Sequence, residues 1–70
     1  MNYILEITLV NSEVIGVPVA LVDNKMSTKQ EFIESSIDSS STLLLVEETE
    51  MNHAMCVPLD HIICYVWRAE

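Results

Sequence analysis

Hydrophobic and polar positions alternate from residue 3 to residue 10. Tyr3, Leu5, Ile7 and Leu9 share one side of an extended chain, with Glu6 and Thr8 on the other. A period of two is the signature of a half-buried strand. Asn11-Ser12-Glu13 then supplies turn chemistry. Residues 14 to 22 complete a predicted hairpin, with Ile15, Val17, Val19 and Leu21 on one face and Val14, Ala20 and Val22 on the other. Both faces are apolar here. Pro18 has no N–H to give to a ladder, so it requires a sheet edge, a bulge or a strand end. Gly16 is read as the site of a sharp bend.

The period changes after the loop Asp23-Asn24-Lys25. Ser27 with Gln30, and Thr28 with Glu31, fit capping boxes, and a helix is predicted from about 28 to 38. Phe32, Ile33 and Ile37 form a narrow apolar stripe, Ser36 a small contact position, and Gln30, Glu31 and Glu34 a polar face. So narrow a stripe predicts a lid on the domain rather than its centre. The serines at 39 to 41 connect to a third strand, Thr42 to Glu48, whose residues Leu43 to Val46 are apolar on both faces. Glu47, Glu48 and Glu50 belong to a polar turn ending at Asn52. A fourth strand is expected at 53 to 57 and a fifth at 62 to 67, joined by a tight turn at Pro58-Leu59-Asp60. The expectation is a mostly β domain with one short helix, in the order β-β-α-β-β-β. It spans residues 1 to 70 as a single small barrel of five strands.

Composition adds a second subunit to this picture. At 70 residues the chain buries only about 60% of its unfolded surface, so its core is thin. Yet half of it is apolar and its mean hydropathy is +0.32. Strands two, three and five have two apolar faces, and a barrel buries one. A homo-oligomer is the expected cover for the other. Charge narrows the outside partners. Eleven Asp and Glu stand against three Lys and Arg, a net charge of −8. Nucleic acid and anionic membranes are disfavoured, because counterion displacement needs a basic patch. A basic protein surface or a small-molecule ligand remains compatible. Residues 1 to 10 lack the basic start of a secretory signal, and the longest uncharged apolar run, 14 to 22, is too short to span a membrane. A cytoplasmic location with reduced thiols is expected.

Three segments carry a family likeness: the hairpin with Gly16, the segment Leu21-Val22-Asp23-Asn24-Lys25-Met26 after it, and Val57-Pro58-Leu59-Asp60-His61-Ile62 between the last strands. In these the chain resembles the Sm-like small β-barrel proteins. Asp23-Asn24-Lys25-Met26 matches the Asp-x-x-Met of the first Sm motif, with Ser27 in place of its Asn and the glycine-to-aspartate spacing one residue longer. Pro58-Leu59 stands near where the second motif has Arg-Gly. The resemblance implies a barrel that pairs its fourth strand with the fifth strand of a neighbour. With the RNA-contact residues absent, it does not carry over RNA binding.

His53-x-x-Cys56 and His61-x-x-Cys64 place four zinc-ligand types within 12 residues. On an extended strand, however, residues three apart point to opposite faces, so neither pair converges and no metal is expected. A Cys56–Cys64 redox pair competes with ordinary burial of free cysteine. Cys64, His61 and Asp60 have the residue types of a nucleophilic site but are only sequence neighbours, in a chain too short to enclose a substrate. The chain is therefore read as non-enzymatic and without a cofactor. Glu47, Glu48 and Glu50 are read as a solvated turn that blocks edge aggregation. Tyr65, Trp67 and Arg68 near the end of the last strand, with Phe32 on the helix, are the candidate interface residues, since Trp, Tyr and Arg are enriched at binding hot spots. Lys25, Lys29 and Arg68 are the candidate anion contacts.

The function expected is a non-catalytic, homo-oligomeric binding module acting through protein–protein contacts. The alternative is a phage-type inhibitor that sequesters a small ligand, such as a nucleotide signal, at subunit interfaces. Mimicry of nucleic acid by acidic side chains ranks below both, because the carboxylates are scattered through loops and helix.

Overall fold

The computed structural model describes residues 1–70. The alternation of the first segment produces β1, Asn2–Leu9, with Tyr3, Leu5 and Ile7 buried on one side. β2, Val14–Ala20, folds back on it through a tight loop at residues 10–13. Ser12 closes that loop at φ 72°, the left-handed position that ends this type of turn. β1 is the centre of a three-stranded antiparallel sheet in the order β2-β1-β5, its other neighbour being β5, Ile62–Ala69. β3, Leu43–Val46, and β4, Met55–Pro58, form a separate antiparallel pair. The helix α1, Met26–Ser35, lies between β2 and β3 in the chain. The predicted order of strands and helix is therefore present.

Nine residues form the core: Tyr3, Leu5, Ile7, Ile15, Val19, Leu21, Leu44, Val46 and Val57. It is held between the inner faces of the two sheets. Ile7 is fully buried and Leu5 almost so, each worth about 1.5–3 kcal/mol relative to exposure. No helix residue is fully buried, while Phe32 and Ile33 pack on the core margin, as expected of a lid.

The closed five-stranded barrel expected from the sequence does not form; the sheets are open. Closure would need β2 to pair with β3, and three features prevent it. First, the chain leaving α1 occupies the edge of β3: Ile37 bridges Leu44, Leu45 N–H donates to the Ser36 carbonyl, and Asp38 N–H donates to the Leu43 carbonyl. Second, the Asn52 side-chain amide donates to the Gly16 carbonyl, which takes an acceptor from the edge of β2. Third, Pro18 removes a donor from that edge. The paired bonds between Met1 and Leu21 set the ladder so that the backbone of Gly16, Pro18 and Ala20 points away from β1. Pro18 thus sits at a sheet edge, one of the positions its chemistry allows.

Gly16 also has a different role from the one expected. Its φ is not positive and it pairs in register with Glu6, so it makes no sharp bend. Instead a Cβ there would meet Met51 Cε at 3.1 Å and Ile4 Cγ2 at 3.4 Å. The glycine makes room for Met51, which the loop from β3 to β4 lays against the outer face of the sheet.

The helix start differs as well. Neither capping box forms: the N-cap is Lys25, with no side-chain cap bond. Asp23 instead closes the turn that precedes the helix, accepting from Lys25 N–H at 2.9 Å and from the Thr28 hydroxyl at 2.8 Å. At the other end the Phe32 carbonyl accepts from Ser36 N–H and from the hydroxyls of Ser35 and Ser36. Local serine bonds of this kind stop a helix, which accounts for its ending before residue 38.

Candidate functional site: the bare edge of the last strand

β5 is built from residues 61 to 69, a nine-residue stretch without Asp, Glu or Lys. It pairs with β1 through Ile4↔Arg68, Glu6↔Val66 and Thr8↔Cys64, with a bulge between Ile62 and Cys64. Since the odd-numbered backbone groups of β1 face β2, its even-numbered ones face β5. The Glu70 N–H bond to the Asn2 carbonyl continues that pattern. The N–H and C=O groups of Tyr65, Trp67 and Ala69 therefore point away from β1. Ile63 precedes them at the bulge. No other strand pairs with this edge.

The remaining edges are each blunted. β2 carries Pro18 and the Asn52 contact. The outer side of β3 is taken by residues 36 to 38. β4 has four residues, and its Pro58 sits where a donor would face outward. Short strands, prolines and covering loops are the usual protections of a sheet edge. β5 has eight residues and no proline or covering loop; its bulge lies at its start, leaving Tyr65 to Ala69 unpaired on that side.

Its two faces differ. Tyr65 and Trp67 point inward. The Trp67 ring meets Tyr3 edge-on at 6.1 Å and Phe32 at 6.0 Å, so Tyr3, Trp67 and Phe32 join β1, β5 and the helix. Burial raises the pKa of the Tyr65 phenol. The outer face carries Cys64, Val66 and Arg68. Arg68 Nη2 is 2.9 Å from Glu6 Oε1, an exposed pair of small energetic weight. Ile63 is 62% exposed and Val66 43%. Of the candidate interface residues, Tyr65, Trp67 and Phe32 thus lie together on the inner side, and Arg68 on the outer.

The candidate anion contacts do not converge. Lys29 Nζ lies 4.8 Å from the centre of the Tyr3 ring and donates to Asn24 Oδ1 at 2.9 Å, on the inner side of the sheet. Lys25 is exposed at the helix start. Arg68 is on the opposite face. The four zinc-type residues are also dispersed. Cys56 lies on β4 and Cys64 on β5, both free and exposed; His61 ends the 3-10 turn Leu59–His61, and His53 is in the loop before β4. No three His, Cys, Asp or Glu side chains form a cation cage. His61 Nε2 is 4.0 Å from Asp60 Oδ1 at the surface.

The gap between β2 and β3 leaves a cavity of about 390 Å³. Leu5, Ile7 and Val17 line it from the larger sheet, Leu44 and Val46 from the smaller, and Phe32 and Ile33 from the helix. Ser35, Ser36, Glu47 and Thr49 contribute its polar groups.

A proline marks an edge in β2 and in β4, but residues 61 to 69 lack one, as the central β1 also does, and so carried no such signal of their exposed edge. Asn52 and Val66 had none either, because their roles depend on a loop crossing and on strand parity. No helix is long and apolar enough to cross a membrane. No family model, curated protein or solved structure matches the chain.

Proposed function

We propose that this chain is a non-catalytic binding module that works as a homo-oligomer and acts through protein–protein contacts. The observation that carries the reading is the bare edge of β5 in a fold that blunts every other edge. An unpaired strand adds an extended segment from another chain by main-chain hydrogen bonding. The thin core, with nine of 70 residues buried, gives the same direction, since association is a usual support for a domain of this size. The Sm-like resemblance also favours contacts made by the last two strands. With a net charge of −8, a further protein partner would be basic. The free, exposed thiols of Cys56 and Cys64 fit a reducing compartment such as the cytoplasm. Sedimentation velocity across micromolar concentrations tests the proposal. An oligomer is expected; a monomer throughout, with cooperative unfolding, would refute it.

A second reading, sequestration of a small ligand by a phage-type inhibitor, draws on the cavity between the sheets. Its volume falls within the usual range of ligand sites. Its lining suits an apolar body better than a nucleotide, because Lys25, Lys29 and Arg68 do not face it together. Thermal shift against separate panels of nucleotides and small apolar compounds decides this: stabilisation by neither removes the reading.

A further inference from the structure

Given the small-ligand reading, on which this inference rests, the polar lining of the cavity between the sheets goes further and specifies the head group of the ligand. We propose that the cavity takes a small amphipathic amine, an apolar ring or chain carrying one ammonium group, with the ammonium held at Glu47. Val17 on β2, Val46 on β3, and Phe32 and Ile33 on α1 line the part that receives the apolar body. Such a body gains by leaving water, and a volume of about 390 Å³ suits a compact one.

The polar lining is what selects. Glu47 is its only charged residue. The hydroxyls of Ser35 and Ser36 both donate to the Phe32 carbonyl, at 2.8 and 3.0 Å, so their oxygens are left to accept. Pro18 lines the β2 side; its backbone points away from β1 and brings a carbonyl but no N–H. Thr49 is engaged within its own loop, its oxygen accepting from the N–H of Met51 at 3.1 Å and of Asn52 at 3.2 Å. The lining is therefore rich in acceptors and holds a single, negative charge. An ammonium group only donates, which matches this set. A carboxylate or phosphate finds no cation there, since Lys25, Lys29 and Arg68 are all absent from the lining. Lys29 is held elsewhere, at Asn24 Oδ1 and over the Tyr3 ring. Glu48 and Glu50 follow Glu47 in the same turn, on a chain of net charge −8. Between walls of low dielectric, such a field gathers cations and turns anions away. The acidic turn thus gains a task at the mouth of the cavity besides guarding a sheet edge.

Isothermal titration calorimetry with probes that share one apolar body tests the head group: phenylbutylamine, phenylbutanol and phenylbutyrate. The amine should bind about fivefold more tightly than the alcohol, the upper range for one exposed ion pair, and the carboxylate most weakly. Raising the salt concentration should narrow the advantage of the amine. Glu47→Gln should bring the amine to within about twofold of the alcohol. Glu13→Gln removes the same charge from the loop between β1 and β2, outside the cavity, and should keep the preference. Chemical shifts of the unsubstituted protein locate the probe independently of any variant: Ile33 and Val46 should move with the amine, and Val66 on the outer face should not. Equal binding of the probes, or a preference that survives Glu47→Gln, would overturn the amine assignment and leave the small-ligand reading standing. Binding by none of them, or shifts confined to the outer face, would overturn both.

Discussion

Replacing Gly16 by alanine distinguishes a strand that must bend from a strand that is merely overlaid. If the glycine served a sharp turn into a closed barrel, a side chain there would be strained in any surroundings. The backbone shows no such requirement, since Gly16 has no positive φ and stays in register with Glu6. The obstacle is a single close approach, 3.1 Å to Met51 Cε. Ile4 Cγ2 at 3.4 Å and Met51 Sδ at 4.0 Å are ordinary contacts. Met51 is 56% exposed, and its terminal methyl can retreat by a few tenths of an ångström into solvent. Displacing it costs up to about 0.8 kcal/mol, the value of one buried methylene. Against this, alanine restricts the unfolded chain and contributes about 0.4–1 kcal/mol. Gly16→Ala should therefore change stability by less than about 1 kcal/mol in either direction. With Met51→Ala already in place the close approach disappears, and the same substitution should stabilise by about 0.4–1 kcal/mol. The difference between backgrounds is a coupling energy, read from a double-mutant cycle of urea unfolding curves. A loss above about 2 kcal/mol in both backgrounds would refute this account of β2.

Two further substitutions probe the core and the turn before β3. Ile7→Ala should cost about 2–5 kcal/mol, and Ile7→Val about 0.5–1.5. For 70 residues the whole stability is on the order of 4–10 kcal/mol, so the alanine variant should lose roughly half of it, read as a lowered midpoint in chemical denaturation; a cost below about 1 kcal/mol would place the core elsewhere. Asp38 accepts from the backbone N–H of Thr42 and Leu43 and from the Ser40 hydroxyl, and the Thr42 bond is the main cause of its lowered pKa. A carboxylate whose folded pKa lies below its unfolded value of about 4 contributes fully above that pH, and the contribution is lost as pH falls through the folded value. Thermal unfolding of Asp38→Asn should therefore show a shallower decline below about pH 4 than the parent, and parallel curves would contradict the assignment.

Order and character of the elements were legible because they rest on local periodicity. Alternation through Tyr3, Leu5 and Ile7 marked the inner face of β1, and the narrow stripe of Phe32 and Ile33 marked a peripheral helix. Closure was not legible. It depended on which group occupied each strand edge: Asn52 and Gly16 lie 36 residues apart, and Ile37 reaches Leu44 across an irregular turn that has no periodicity. The capping boxes misled for a related reason: Ser27 and Thr28 had suitable partners three residues on, but Asp23, a full charge nearby, won the Thr28 hydroxyl. Tyr65 and Trp67 were recognised as important from their chemistry. That they lie on the inner side, tied to Tyr3 and Phe32, follows from strand parity against β1, which the sequence of β5 alone does not specify.

The central place of β1 governs the timing of folding. β1 and β2 are neighbours in the chain and can form a hairpin as soon as residue 20 has been made. The other side of β1 must wait for residues 62 to 69. During synthesis the hairpin therefore carries a second open edge while some forty residues pass, with Leu5 and Ile7 still without their full cover. Long-range pairing of this kind slows folding and leaves a sticky intermediate. Efficient production of the protein should thus be limited less by the stability of the finished fold than by how quickly its last strand arrives.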